Sequence, residues 1–243
     1  MPINCFQKFG HLSNHHMALA QHLSIPAYLK FFQEKVQAGE TVILDNGAYE
    51  GVQMAPELLH RWIMELRPTV AILPDSPGDF RKTLCKSHEF LLRHTLPRST
   101  QGMTVLHAAN GELKQFEVAY ELVETEWVGF SRLTKYYEKI VPWPYHRAGF
   151  AEHLKVQGMW RSGLKHHALG MLNGCVSELK ALAEQGFSSC DSSAPVWRGL
   201  HGYTLRDAWP NYEYQPDMNE SFSPQYSQAG LNLQVVLEAC GQD

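Results

Sequence analysis

Residues 41–75 read TVILDNGAYEGVQMAPELLHRWIMELRPTVAILPD, and the pattern in this stretch repeats along the chain. Thr41–Leu44 is a β-branched, apolar run that stops on the polar cluster Asp45–Asn46–Gly47. Residues 55–66 then place apolar side chains at helical spacing (Leu58, Leu59, Trp62, Ile63, Leu66) and halt ahead of Pro68, whose ring disfavours helix in the preceding residue. Thr69–Leu73 is a second buried-strand pattern, and it ends on Pro74–Asp75. Strand, polar stop, helix and strand in that order make a βαβ unit, the building block of a parallel sheet.

The same alternation continues towards the C-terminus. Phe80–His94 predicts a helix, Met103–Leu106 a strand ending on His107, and Glu112–Val123 a helix. Trp127–Phe130 is a strand that precedes Ser131 and Arg132. His167–Met171 leads into Asn173–Gly174, Ser177–Gln185 is a helix stopped by Gly186, and Phe187–Cys190 runs into Asp191. A first strand is expected near Ile3–Phe6 and a closing helix over Leu231–Cys240. Pro142–Gly149 (PWPYHRAG) reads as a long loop or lid, and Trp197–Tyr226 as an irregular, aromatic-rich segment. The expectation is an α/β chain forming one (β/α)8 TIM-like barrel over residues 1–243. A chemistry-capable residue follows almost every strand, which is where a barrel gathers its site. An open doubly wound sheet would concentrate such residues at one switch point.

Composition narrows the class. A length of 243 residues suits one barrel of about 250, and 44% hydrophobic residues argue for a packed core. No apolar run approaches the roughly 20 residues that cross a bilayer, and the N-terminal residues lack the basic start and apolar core of a secretory signal. The five scattered cysteines (Cys5, Cys85, Cys175, Cys190, Cys240) suit reduced thiols, so a cytoplasmic place is expected. A formal charge of −4 gives no general pull on nucleic acid, so any such contact needs a local basic patch.

Chemistry concentrates in ILDNGAYEG (Ile43–Gly51) and GFSSCDSSAPVWRG (Gly186–Gly199). Each sets an Asp directly after a strand among small residues that let a ligand approach the backbone. A carboxylate there can attack a sugar carbon, move a proton or merely cap the next helix.

These segments resemble the guanine transglycosylases, enzymes that swap a guanine for a 7-deazaguanine. Asp45-Asn46-Gly47-Ala48-Tyr49-Glu50 is similar to that family's Asp-Ser-Gly-Gly-aromatic-Gln. Ala168-Leu169-Gly170, a helix, Gly186 and Cys190-Asp191-Ser192-Ser193-Ala194-Pro195 resemble its Leu-Met-Gly, helix, glycine and Phe-Asp-Cys-Val-x-Pro. Leu73-Pro74-Asp75, Val105-Leu106-His107 and Gly129-Phe130-Ser131-Arg132-Leu133 fall where the family has a strand-end Asp, a Gln and Gly-Gly-Leu. The likeness spans roughly residues 41–199.

The resemblance implies a pentosyltransferase in which Asp191 is the nucleophile and Asp45 the acid/base partner. It implies further that Asp75 accepts from guanine N1–H and the exocyclic amine, and that Tyr49 and Leu169, beside Gly170, stack on the base. His107 and the Gly129–Ser131 turn would read the O6 side. The tRNA-acting members carry a zinc site of clustered cysteines after the nucleophile strand, whereas this chain has only Cys240 and His201 there. No metal or other cofactor is therefore expected, and the paired histidines (His15 with His16, His166 with His167) read as incidental. The small, zinc-poor form resembles the phage and bacterial enzymes that insert 7-deazaguanines into DNA. That implies DNA and a free 7-deazaguanine base as partners, no membrane, and base flipping to reach C1′. Arg132, Lys135, Lys139, Arg147, Arg161, Lys165 and Arg198 are the candidate phosphate contacts. Alternatives are a tRNA-guanine transglycosylase of the same chemistry and a barrel hydrolase or lyase acting on a small sugar or phosphate.

Overall fold

A computed structural model of the chain describes residues 8–52, 54–107, 113–132, 145–170, 176–205 and 226–239. The first half holds β1 (His15–Leu19), a 3-10 turn (Ala20–His22), α1 (Pro26–Gln37), β2 (Thr41–Asp45), α2 (Pro56–Leu66), β3 (Val70–Ile72) and α3 (Phe80–Arg93). The second holds β4 (Gln101–Leu106), α4 (Leu113–Glu121), β5 (Trp127–Phe130), α5 (His146–Val156), β6 (Lys165–Ala168), α6 (Val176–Glu184), β7 (Ser189–Cys190), α7 (Ala194–Leu200) and α8 (Tyr226–Ala239). All seven strands are parallel and lie in chain order, β1 through β7, in a sheet that curls into a half-barrel. Among the described residues no ladder joins β7 back to β1, so the structure is an α/β half-barrel where the sequence led us to expect eight closed strands.

Other expectations need correction. β1 starts at His15, and the Ile3–Phe6 stretch lies outside the described residues. The strand is hard to see in sequence because two histidines open it and only Ala18 is fully buried. The α1 helix, opened by Pro26 at its first turn, was not marked by the alternation read above. His146–Gly149, expected in a loop, form the first turn of α5, and Trp197–Leu200 belong to α7. Asn173–Gly174, Lys135, Lys139 and residues 206–225 lie outside the described residues.

Strand parity sorts the core. In a parallel ladder, residues in register point to the same face, and alternate residues point to opposite faces. Ile43, Val70, Ile72, Met103, Val105 and Trp127, with Met17 and Leu169 against them, form one buried cluster on the concave face. The intervening residues Val42, Leu44, Ala71 and Leu73 pack under α1–α3, and Leu106, Val128 and Phe130 pack under α4 and α5. Each fully buried aliphatic side chain contributes roughly 1.5–3 kcal/mol, so both faces are committed to apolar packing along most of their length. A third cluster (Phe9, Val196, Trp197, Leu200, Ala229) joins α7 to α8. There Gly199 is required by close approach: a Cβ on it would meet the Ala229 Cα at 2.2 Å. Among the described residues no helix is long and apolar enough to cross a membrane.

Candidate functional site

The concave parity that buries Ile43, Val105 and His167 carries onward to the strand ends. Two residues beyond Ile43 is Asp45, two beyond Val105 is His107, two beyond Gly129 is Ser131, and two beyond Ser189 is Asp191. The polar mouth is thus the next layer of the same side-chain stack that forms the apolar floor. None of the three strand-end acids, Asp45, Asp75 or Asp191, caps the helix that follows it. The N-caps of α2, α3 and α7 are Ala55, Asp79 and Ser193, and Asp79 accepts from Lys82 N–H at 3.0 Å. The capping explanation for these aspartates is therefore removed.

Asp191 is held by donors. Its Oδ1 accepts from Gly170 N–H at 2.8 Å and from His167 Nε2 at 3.1 Å, and His167 Nδ1 meets Ser189 Oγ at 2.7 Å. If the Ser189 hydroxyl donates to Nδ1, the ring proton stands on Nε2, facing Asp191. Burial alone would raise the Asp191 pKa, but the His167 hydrogen bond and charge, the Gly170 N–H and the Arg147 charge outweigh it and hold the carboxyl below its usual range.

Gly170 is kept in place from behind. It sits at φ +67, in the left-handed region that suits glycine, and its carbonyl accepts from Arg147 Nη2 at 2.7 Å. Arg147 also donates to Leu169 O at 2.7 Å and to Glu178 through Nε at 2.8 Å, and both charged side chains are fully buried. A chain of contacts runs Glu178–Arg147–Gly170–Asp191.

Asp45 has the opposite surroundings. One oxygen accepts from Gly47 N–H at 3.2 Å in a local turn. Burial, then the nearby charge of Glu50, and more weakly those of Asp191 and Asp75, push its pKa up to about 8 against the Gly47 hydrogen bond. Asp45 is therefore mostly protonated at neutral pH, while Asp191 is ionised.

Asp75 is buried, and both of its oxygens are engaged by the protein. Oδ1 accepts from Asn46 Nδ2 at 3.0 Å, and Oδ2 meets His107 Nε2 at 2.7 Å. Asn46 also donates to Leu73 O at 2.7 Å and receives Ala48 N–H at 2.8 Å. Behind Asp75, on the helical side, a cleft of ≈ 430 Å³ runs between α2 and α3 past Asn46, Lys86 and His94. Its lining includes Asp75 but neither Asp45 nor Asp191.

The remaining candidates fall into three groups. Tyr49 is half exposed at the rim, and the Arg132 guanidinium lies 5.3 Å from its ring centroid, linking the loops after β2 and β5. Leu169 packs into the concave floor, where Gly129 makes room for it: a Cβ there would lie 2.6 Å from Leu169 Cδ1. Ser131 is buried, and its N–H extends the ladder to Leu106 O at 3.1 Å.

The basic residues do not share one face. Arg147 and Arg198 are interior side chains, which corrects their place among phosphate contacts, because a buried guanidinium is not available to a backbone in solvent. Arg161, ahead of β6 and donating to Val123 O at 2.7 Å, and Lys165, the first residue of β6, lie at the strand starts, away from the mouth. Arg132 alone of the described set stands at the mouth.

Sequence reasoning read His167 as incidental and gave no role to Ser189, Asn46 or Glu178. The signal for the first two was present as spacing: Ser189 sits two residues before Asp191, and His167 two before Leu169. Among the described residues no group of three His, Cys, Asp or Glu side chains is placed to hold a metal ion. His16 pairs with Glu40 at the strand starts, and His166 stacks on Trp160 with centroids 3.7 Å apart. No family model and no curated protein matches the chain.

Proposed function

We propose that the chain is a base-exchange transglycosylase that replaces a guanine in DNA by a 7-deazaguanine through a covalent glycosyl-aspartate. One observation carries the reading: two strand-end carboxylates stand in oppositely built surroundings, Asp191 accepting from Gly170 N–H and His167 and held low, Asp45 left with one turn hydrogen bond beside other carboxylates and held high. Glycosyl transfer by double displacement needs that split, an ionised nucleophile beside a protonated acid.

In the first half, the free Oδ2 of Asp191 attacks C1′ of the target nucleoside. The C1′–N9 bond breaks, its electron pair leaves with the guanine, and Asp45 gives that base its proton. In the second half, Asp45 as carboxylate takes the N9 proton of the incoming base. The nitrogen then attacks C1′ and releases Asp191, so the proton on Asp45 is restored and no oxidant or metal is consumed. Asp191 Oδ1 is tied to Gly170 and His167, which fixes the attacking oxygen as Oδ2 and limits the reorientation it needs. Tyr49 would stack on the base at the rim, and Arg132 would leave the Tyr49 ring for a phosphate. Base flipping brings C1′ into the mouth. The same reading takes a closed eight-stranded barrel as its scaffold and requires no cofactor.

The test is release and exchange of radiolabelled guanine from DNA and, in parallel, from tRNA, with 7-cyano-7-deazaguanine added. Exchange in DNA supports the reading. Exchange in tRNA alone moves the substrate to tRNA and keeps the chemistry. No exchange in either ends it.

A further inference from the structure

The Asp75–His107 pair is the part of the mouth that the double displacement does not use. Its geometry also conflicts with the guanine-contacting role that the resemblance assigns to Asp75. A carboxylate that receives the N1–H and amine of a guanine must turn its oxygens to the ligand. Here Oδ1 is taken by the Asn46 amide and Oδ2 by His107 Nε2, and Lys86 Nζ clamps the Asp75 carbonyl at 2.8 Å. The His107 and Asp75 side chains are only 4% and 7% exposed.

His107 leaves one atom unaccounted for: its Nδ1 is buried and has no hydrogen-bond partner among the described residues. Buried polar atoms are nearly always satisfied, and an orphan costs roughly 1–3 kcal/mol, so an orphan at a strand end in the mouth points to a partner that arrives with a ligand. The two ring nitrogens lie on opposite edges of the imidazole. With Nε2 on Asp75, Nδ1 faces away from it, and His107 stands at the concave parity of β4 in line with Met103 and Val105.

We infer that Asp75 is a positioning residue and that His107 Nδ1 is the ligand-contacting atom, accepting a hydrogen bond from an N–H of the bound base. The protonation logic is direct. Asp75 Oδ2 meets Nε2 at 2.7 Å, so with Oδ2 accepting from a neutral ring the proton stands on Nε2 and Nδ1 presents a lone pair. A lone pair repels a carbonyl oxygen such as O6 and selects a donor: a ring N–H, an exocyclic amine or an aminomethyl substituent. The acceptor for the donor edge of the base is thus moved from Asp75 to His107, with Asn46 and Asp75 behind it as its support.

This inference rests on the base-exchange reading for the nature of the ligand, but its test reads binding and not exchange. The full-length chain is labelled with 15N-histidine, the His107 signals are assigned by their loss in His107→Gln, and guanine is added as the probe. The expected result is an upfield shift of the pyridine-type Nδ1 resonance of His107 while Nε2 keeps its proton. His107→Gln, whose amide reaches only the Nε2 position, should bind guanine roughly 10- to 100-fold more weakly. His107→Asn, whose amide occupies the Nδ1 position, should recover part of that loss.

Guanine binding with Nδ1 unmoved, conversion of Nδ1 to a protonated nitrogen on binding, or no guanine binding at all overturns the assignment. If the variants fail to fold, the Nδ1 shift in the unaltered protein, assigned through its coupling to the ring carbons, still decides. A shift without exchange in DNA or tRNA retains this contact and ends the transferase reading; exchange without a shift does the reverse.

Discussion

The ends of β2 and β7 carry the same residue type in the same layer of the same mouth, yet they are built to opposite effect. Behind Asp191 stand a histidine, a backbone N–H and a buried arginine, all favouring the anion. Around Asp45 stand three other carboxylates, with one weak turn hydrogen bond in compensation. The comparison teaches that the role of a strand-end Asp is set by its second layer of contacts. For Asp191 that layer comes from the β6 end and from Arg147 of α5, all more than twenty residues before it, whereas for Asp45 it is led by Glu50 and Gly47 of the adjoining β2–α2 loop.

The comparison can be broken most severely at Asp191. Asp191→Ala should abolish exchange, a loss on the order of 10⁴-fold or more, measured as labelled-guanine turnover at saturating base. Turnover at the normal rate would end the assignment of the nucleophile.

Asp45→Asn should cost roughly 10²- to 10⁴-fold in rate, and its pH profile sharpens the contrast. In the unaltered protein, the limb that requires protonated Asp45 should fall as pH rises through about 8. Stability follows the same proton. A carboxyl whose pKa is raised on folding binds more protons folded than unfolded, so its contribution declines as pH rises from the unfolded value near 4 to about 8. Urea melts of Asp45→Asn across that window should lose this decline. The sign is opposite for Asp191. Its pKa is lowered on folding, so its contribution is present above the unfolded carboxyl range and lost as pH falls through the folded value.

Arg147→Ala should destabilise by about 3–5 kcal/mol in denaturant melts, because it strands a buried Glu178 without its cation and frees the Gly170 carbonyl. A double change that also replaces Glu178 by Gln should recover part of the loss. If the single variant is as stable as the parent, the support of the β7 end is something else. Ser189→Ala is the mildest probe. It removes the hydroxyl that meets His167 Nδ1, and it should cost about 1 kcal/mol and raise the Asp191 pKa, seen as an upward shift of the acid limb of the exchange profile.

Much of the scaffold was legible before any coordinates. The Thr41–Asp75 repeat gave strands and helix to within a residue or two, because apolar period and proline punctuation are local properties. β1 escapes that reading because the two histidines that open it break the apolar period, and α1 because only Tyr28 and Phe32 of it are buried, too few to mark an apolar stripe. Arg147 was misplaced for a different reason. On charge alone it reads as a surface cation, and only the fold reveals a buried glutamate 31 residues away to receive it.

By itself, the sequence determined that strands and helices alternate, which implies a parallel sheet, and that Asp45, His107 and Asp191 stand at strand ends, since these follow from local periodicity and its polar stops. The tertiary structure alone decided the protonation of each carboxyl, the engagement of Asp75 by Asn46 and His107, and which cations reach the mouth. Those are long-range electrostatic and hydrogen-bonding terms, fixed by which loops the curled sheet brings together and invisible to any local pattern.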